Sequence, residues 1–257
     1  MNCMYANCIH PNAKLHPSVI VGAYSHIYGD VEIGEGSIID DHVTIYDGVR
    51  IGKGCHIYAG AQLGNPPHDQ AKCSENNYTI IGDNTVIREY VTINNSILDD
   101  GTTIIGSDCF IMAYCHISHD CKLGDHIIMA NYTHLDNNVV VDHWAKFGGG
   151  SKVHSCVHIG SYALIQGGIC VDKDIPPYIL VAREPIVYCG LNYKSLSRSA
   201  FTQEQLLNIK RIYNLLYSSN MNIDVAIEKI EHSLLISKEC SVILEFIKNS
   251  KSLLSNN

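Results

Sequence analysis

The chain has 257 residues and a formal net charge of −8, enough length for one large domain with a small appendage. Its acidic balance argues against a broad surface for nucleic acid or for anionic membrane. No apolar run is long enough for a membrane span, and residues 1–11 lack the basic and apolar regions of a secretory signal. We therefore expect a cytoplasmic protein without membrane insertion.

Large apolar residues recur every six positions along most of the chain. One run extends from Ile9 to Leu63, a second from Ile81 to Ile93, and a third from Ile105 to Val171. Such a period fits neither an α-helix nor a β-hairpin. It predicts an all-β solenoid in which each hexad supplies one short strand and one corner, and three hexads make one coil. The pattern resembles that of left-handed parallel β-helices, and this resemblance supplies the predicted handedness.

The hexad pattern predicts the β-helix over residues 1–175 and a small C-terminal α-helical domain over 176–257. Two stretches without the pattern, 65–78 and 95–102, are predicted loops that leave the scaffold, and loops on a rigid scaffold often carry function. In the C-terminal part, Thr202 and Gln205 have the spacing of a capping box. An apolar helical stripe follows them, and further helices are expected at about 223–235 and 238–254.

The eleven cysteines are scattered and form no Cys-x-x-Cys pair, so we predict free thiols rather than disulfides or zinc ligands. Four of them fall at the small, inward position of their hexads: Cys55, Cys109, Cys115 and Cys121. Successive hexads lie on different faces of the solenoid, so the last three cannot share one metal ion.

Most of the fourteen histidines need no special role, because several share one outward position in the hexad. The densest polar cluster is His116-Ile117-Ser118-His119-Asp120. A general base needs an imidazole with a pKa near neutrality and a partner that fixes its tautomer. His119 with Asp120 is therefore the candidate base, with a solvated surface histidine as the alternative.

At these residues the sequence resembles the UDP-N-acetylglucosamine O-acyltransferases, which make the first committed intermediate of lipid A. The resemblance rests on residues 81–93 and on the His-Ile-x-His-Asp motif at 116–120. It continues through 174–178 and 190–192 and covers essentially the whole chain. The hexads are common to many acyltransferases, whereas the histidine motif and the C-terminal match are more specific.

The resemblance implies a homotrimer with active sites between subunits, with no bound cofactor and with acyl-CoA or acyl carrier protein as co-substrate. By the same resemblance, His119 is the general base and Asp120 supports it. The other implied site residues contact a nucleotide-linked sugar: His68, Asp69 and Lys72 in the first loop, His116 and His154 in the cleft, and Asn192 and Arg198 in the helical part.

Two departures from the family pattern shape the functional hypothesis. The family's loop motif Gln-Asp-x-Lys reads here as His-Asp-Gln-Ala, with Lys72 displaced by one position. Arg183 stands at the position where, by this resemblance, the family carries a small residue that limits the acyl chain. Burying an unpaired guanidinium in a groove for that chain is costly. Either Arg183 turns to solvent, or it blocks the groove and selects a short acyl group.

The leading hypothesis is an acyltransferase that moves a short acyl group from acyl-CoA to the C3 amino group of a UDP- or dTDP-linked sugar. The alternative is the lipid A enzyme itself, which uses an acyl carrier protein and the 3-hydroxyl of UDP-N-acetylglucosamine. Two remoter readings are a zinc-dependent carbonic anhydrase with ligands from His116, His119 and His154, and a structural trimer without catalysis.

Overall fold

The computed structural model describes residues 7–67, 76–217, 222–232 and 237–254. Short strands fill the first two thirds of the chain. In chain order they begin with β1 (Cys8–Ile9), β2 (Lys14–Leu15), β3 (Ile20–Val21), β4 (His26–Ile27), β5 (Glu32–Ile33), β6 (Ile38–Ile39), β7 (Thr44–Ile45), β8 (Val49–Ile51) and β9 (His56–Ile57). They continue with β10 (Gln62–Asn65), β11 (Tyr78–Ile81), β12 (Val86–Ile87), β13 (Thr92–Asn94), β14 (Thr102–Ile105), β15 (Phe110–Ile111), β16 (His116–Ile117), β17 (Lys122–Leu123) and β18 (Ile128–Met129).

The remaining strands run to the start of the helical part. They are β19 (His134–Leu135), β20 (Val140–Val141), β21 (Lys146–Phe147), β22 (Lys152–Val153), β23 (His158–Ile159), β24 (Leu164–Ile165), β25 (Cys170–Val171), β26 (Ile179–Ala182) and β27 (Val187–Leu191). The helices are α1 (Tyr193–Leu196), α2 (Gln203–Tyr217), α3 (Ile223–Glu231) and α4 (Lys238–Asn249).

Every third strand joins the same sheet, so the chain winds around three parallel faces. Face A has the order β1-β4-β7-β10-β13-β16-β19-β22-β25, face B runs from β2 to β23, and face C runs from β3 to β26 and ends with β27. The protein is a left-handed parallel β-helix with a small C-terminal helical part, as the hexads and their resemblance predicted. We call the turn from a face A strand to the next face B strand the A–B corner.

The periodic residues form the core along the helix axis. On face A, Ile93 is in register with Ile117, and Ile117 with Leu135; all three are fully buried. Burying such a side chain stabilises the fold by about 1.5–3 kcal/mol relative to leaving it exposed. Stacking of equivalent hexad positions therefore holds the coils together and makes the corners part of a rigid scaffold.

The predicted inward position of four cysteines is confirmed. Cys55, Cys109, Cys115 and Cys121 are buried free thiols in the inward position. Burial raises the pKa of Cys109 and Cys115 to about 11 and that of Cys121 to about 12. These thiols pack as small apolar groups rather than as nucleophiles.

The C-terminal part is attached to the β-helix by strands as well as by helices. β26 pairs in parallel with β24, and β27 returns antiparallel to β26, so face C continues beyond residue 175. The capping box is present: the Thr202 and Gln205 backbone N–H groups each donate to the other residue's side chain, at 2.7 and 3.2 Å. The last two helices end earlier than the sequence pattern predicted, at Glu231 and Asn249.

Two buried polar contacts fix this part against the β-helix. The fully buried Tyr213 hydroxyl donates to the Pro177 carbonyl at 2.6 Å. The Asp174 carboxylate accepts from the Ser250 hydroxyl at 2.6 Å and from two backbone N–H groups beside it.

Among the described residues, no helix combines the length and apolar character needed to cross a membrane.

Candidate active site

His119 and Asp120 lie in the A–B corner between β16 and β17. Asp120 has a positive φ of 62°, a conformation that aspartate tolerates better than most residues. The turn places His119 Nδ1 2.7 Å from Asp120 Oδ2, and both side chains are only 6% exposed. An ionised carboxylate only accepts, so Nδ1 donates and Nε2 keeps a free lone pair. This is the protonation pattern that a general base needs.

Other predicted site features lie at the same corner in neighbouring coils. The loop after β10 and the excursion after β13 both leave the helix there, and β10, β13 and β16 are adjacent on face A. His154 follows β22 at the same corner, two strands beyond β16. The points where the two predicted loops leave the β-helix and the His119–Asp120 pair thus lie along one edge of the molecule.

His116 lies on face A just before this corner. Its Nδ1 is 2.7 Å from the Thr92 hydroxyl. Its ring lies 4.8 Å from that of His134 in the next coil, as the stacking of hexads predicted. His116 therefore points to the surface beside the His119–Asp120 pair and is suited to contact a ligand in the corner.

His154 borders a separate cavity of about 430 Å³ that also includes Cys170, Asp172 and Glu184. Its Nε2 is 2.9 Å from the Cys170 sulfur. Within the described parts of the chain, no three His, Cys, Asp or Glu side chains converge as metal ligands would. His116, His119 and His154 are therefore not gathered around one point within a single subunit.

The predicted sugar-contacting residues His68, Asp69 and Lys72 lie outside the described residues. The base of their loop is held close to the corner. Asn94 Nδ2 donates to the carbonyls of Asn65 and Pro66 at 3.3 and 3.2 Å. The loop therefore starts beside β13, one strand from the strand that carries His116.

The residues predicted for the nucleotide end have different surroundings. Asn192 is buried, its Nδ2 donates to the Tyr162 carbonyl at 2.8 Å, and its side chain caps α1. Arg198 is exposed. Burial lowers the pKa of Lys146 on face C, and the nearby positive charges of Arg198 and Lys194 lower it further. These three cations form a local basic group on an otherwise acidic protein, a suitable environment for a phosphate.

Arg183 lies in the turn between β26 and β27, where its φ is +72° and its side chain is exposed. The nearby cavity is lined instead by Glu184, Pro185 and Ile186 of the same turn. Within one subunit the Arg183 side chain therefore faces outward, and its position relative to a neighbouring subunit stays a prediction.

Sequence reasoning did not single out Ser96 and Thr103, which both contact Asp120. The Ser96 hydroxyl forms a hydrogen bond with Asp120 Oδ1, and Thr103 Oγ1 accepts from the Asp120 backbone N–H at 2.9 Å. Both residues are fully buried. Ser96 lies in the predicted excursion 95–102, and the absence of a hexad there was the only sequence signal for it.

A β-helix of hexapeptide repeats with a buried histidine–carboxylate pair at one corner defines an acyltransferase of the hexapeptide class. The bacterial transferase hexapeptide model matches residues 12–46, 30–65 and 102–137. The model for domain 2 of UDP-N-acetylglucosamine O-acyltransferase matches residues 174–254.

Individual relatives support a narrower assignment. The chain is 41% identical over 219 residues to an acyl-[acyl-carrier-protein]–UDP-N-acetylglucosamine O-acyltransferase from Herminiimonas arsenicoxydans, covering 85% of this chain and 84% of the relative. It is 38% identical to the enzyme of that name from Thermodesulfovibrio yellowstonii, covering 95% of each. The solved UDP-N-acetylglucosamine acyltransferase from Bacteroides fragilis superposes with a TM-score of 0.93 at 36% identity, covering 96% of this chain and 97% of that one. The chain belongs to the UDP-N-acetylglucosamine O-acyltransferase family.

The leading hypothesis of a short-chain acyl-CoA donor and an amino-sugar acceptor is wrong. The relatives are named for an acyl carrier protein donor and for O-acylation of UDP-N-acetylglucosamine, which matches the alternative. The hypothesis had two bases in the sequence. The first was Arg183 as a side chain that fills the acyl groove; in the single subunit this side chain is exposed in a hairpin turn. Its second basis, the displaced Lys72, lies outside the described residues.

Proposed function

We propose that this protein transfers an acyl group from acyl carrier protein to the 3-hydroxyl of UDP-N-acetylglucosamine, for lipid A biosynthesis. The observation that carries the proposal is the buried His119–Asp120 pair at the A–B corner, in a chain whose relatives are named for this reaction.

In the proposed reaction, His119 Nε2 takes the proton of the sugar 3-hydroxyl as its oxygen attacks the thioester carbonyl. The tetrahedral intermediate collapses with cleavage of the carbon–sulfur bond. The protonated imidazole then returns its proton to the leaving thiolate, which leaves as the carrier protein's thiol. Asp120 stabilises the transient imidazolium through Nδ1 and keeps the ring in the productive tautomer.

The remaining predicted residues have supporting roles in this proposal. His116 and His154 line the cleft, Asp69, with His68 and Lys72, contacts the sugar, and Asn192 and Arg198 lie at the nucleotide end. The Asn192 side chain caps α1 and bonds to the Tyr162 carbonyl, so it can fix the position of the helix that precedes Arg198. The basic group of Lys146, Lys194 and Arg198 suits the diphosphate of a nucleotide sugar.

A matrix of donors and acceptors tests the reaction. Purified protein is incubated with a long-chain 3-hydroxyacyl carrier protein, the matching acyl-CoA or acetyl-CoA. Each donor is paired with UDP-N-acetylglucosamine or its 3-amino analogue, and products are read by mass spectrometry. We expect the 3-O-acyl product from the carrier-protein donor. Turnover only with acetyl-CoA, or only of the 3-amino acceptor, would overturn the proposal.

We further propose a homotrimer whose subunits complete one another's sites. Light scattering after size-exclusion chromatography tests the stoichiometry. Shared sites are tested by mixing His119→Ala and Arg198→Ala subunits. If Arg198 serves a neighbour's His119, mixed trimers regain part of the activity that each homotrimer lacks. Activity no higher than the average of the two variants would place both residues in one subunit's site.

A further inference from the structure

We infer that Ser96 is a positioning residue for the general base, acting through Asp120. The inference rests on the proposed function, and its main readout does not need substrate turnover. Ser96 belongs to the excursion after β13, the strand adjacent to β16 on face A. Its side chain is completely buried and contacts Asp120, 24 residues further along the chain.

The neighbours of Ser96 determine the direction of its hydroxyl hydrogen bond. The backbone N–H of Leu98 donates to Ser96 Oγ at 3.1 Å, so the oxygen accepts there. Its single proton is then free to donate to Asp120 Oδ1. Since His119 Nδ1–H donates to Oδ2, each oxygen of the carboxylate has its own donor. The two bonds together fix the rotation of the carboxylate and hence the plane of the imidazole.

The backbone of Ser96 is held separately from its hydroxyl. Its N–H donates to Asn95 Oδ1 at 3.1 Å, and its carbonyl accepts from Asn77 Nδ2 at 2.6 Å. Asn95 Oδ1 also accepts from the Thr79 hydroxyl at 3.2 Å, and Asn95 Nδ2 donates to Asn77 Oδ1 at 2.9 Å. All three supporting residues are buried.

This division of contacts separates two possible roles. The Asn77, Thr79 and Asn95 contacts anchor the excursion without the Ser96 hydroxyl. The hydroxyl is the group of Ser96 that reaches the His119–Asp120 pair. Removal of the Ser96 hydroxyl would leave Asp120 Oδ1 buried without this hydrogen-bond donor. A buried carboxylate with only some of its hydrogen bonds is poorly oriented.

Loss of the hydroxyl changes the base in a definite direction. The Ser96 hydrogen bond withdraws part of the negative charge from the carboxylate. Without it, the carboxylate interacts more strongly with a protonated His119, so the pKa of His119 rises. The carboxylate also gains rotational freedom, which reduces the fraction of productive geometries. We expect kcat to fall about 10-fold to 100-fold, as for loss of a hydrogen bond to a charged group, with KM changed less than about 2-fold.

The test compares Ser96→Ala with the conservative variants Ser96→Thr and Ser96→Cys. Ser37→Ala is the matched control, because Ser37 is also fully buried and donates only to a backbone carbonyl, that of Gly52 at 2.9 Å. The pKa of His119 is measured by NMR titration of the imidazole. kcat, KM and the pH profile of kcat/KM are measured in parallel, and thermal unfolding reports stability.

We expect Ser96→Ala to raise the His119 pKa by about 0.5 unit or more and to move the acidic limb of the rate profile upward by the same amount. Ser96→Thr should restore both, and Ser37→Ala should change only the melting temperature. An unchanged His119 titration in Ser96→Ala would overturn the inference, even if activity falls. If Ser96→Ala does not fold, Ser96→Cys, which keeps the volume but donates weakly, must show the same upward shift. Absence of carrier-protein-dependent turnover in the wild type would overturn the proposed function without affecting the titration result.

Discussion

His119 Nδ1 lies 2.7 Å from Asp120 Oδ2, although the two residues are consecutive in the chain. Neighbouring side chains in an extended strand point to opposite faces. They meet here because Asp120 has a positive φ and turns its side chain back toward the imidazole. The corner of the β-helix thus creates the contact that orients the proposed base.

His119→Ala removes the proposed proton acceptor at this corner. We expect kcat to fall about 10²–10⁴-fold, the usual contribution of a general base, with little change in the melting temperature. Steady-state kinetics with the carrier-protein donor measures the effect. The matched control is His56→Ala, because His56 pairs with Asp40 at 2.9 Å on face C, away from the A–B corner. Equal activity losses in the two variants would contradict the assigned role.

Asp174→Asn should loosen the C-terminal segment. Burial alone would raise the pKa of Asp174. Hydrogen bonds from the Ser250 hydroxyl and from three backbone N–H groups, among them that of His158, outweigh this effect and hold the pKa below its usual range. A lowered pKa stabilises the fold above the unfolded value of about 3.9 and loses that contribution as the pH falls through the folded value. We expect a loss of about 1–3 kcal/mol near neutral pH that shrinks below about pH 4.

Chemical unfolding at several pH values checks this dependence. Asp40→Asn serves as the control, since the Asp40 side chain is 33% exposed and belongs to a surface pair with His56, which contributes little. A destabilisation by Asp174→Asn that is the same at pH 3 and pH 7 would show that the carboxylate charge is not the cause.

The buried cysteines should resist alkylation in the native protein. Burial raises the pKa of Cys121 to about 12, and the thiolate is the reactive form. We expect iodoacetamide at about pH 8, near the free thiol's pKa, to label exposed Cys156 and Cys189 first. Mass spectrometry after proteolysis locates the labels, and labelling in denaturant is the control. Native labelling of Cys121 at the rate of Cys156 would contradict the packed core.

Arg183→Gly tests the earlier idea that this residue limits the acyl chain. Its side chain is exposed in the β26–β27 turn, so we expect the ratio of kcat/KM for long and short acyl carrier proteins to change less than about 2-fold, because no packed contact is removed. Arg211→Gly is unsuitable as a comparison, because glycine would weaken α2. Lys53→Ala, an exposed cation on the distant part of the β-helix, is the control. A large gain for long donors in Arg183→Gly alone would restore the blocking role.

The amino-acid sequence by itself determined the repeating architecture of this protein. A six-residue period of apolar side chains is compatible with few backbone conformations. Each third of a coil must point one periodic side chain toward the same central axis. The small inward position of the cysteines followed from that period, and so did the stacking of His116 on His134. The motif at 116–120 also pointed to His119, since a histidine beside an acid has a clear chemical use.

Only the tertiary structure decided which distant residues join this pair. The excursion 95–102 has no repeat, so no period indicates that Ser96 lies beside Asp120. That contact depends on the stacking of the β13 and β16 coils and on the Asn77–Asn95 anchor between them. The placement of Arg183 was also beyond the sequence, because whether a charged side chain enters a groove or faces solvent depends on the β26–β27 hairpin around it. Local periodicity specifies a repeating backbone, whereas contacts across irregular loops arise only when the coils are packed.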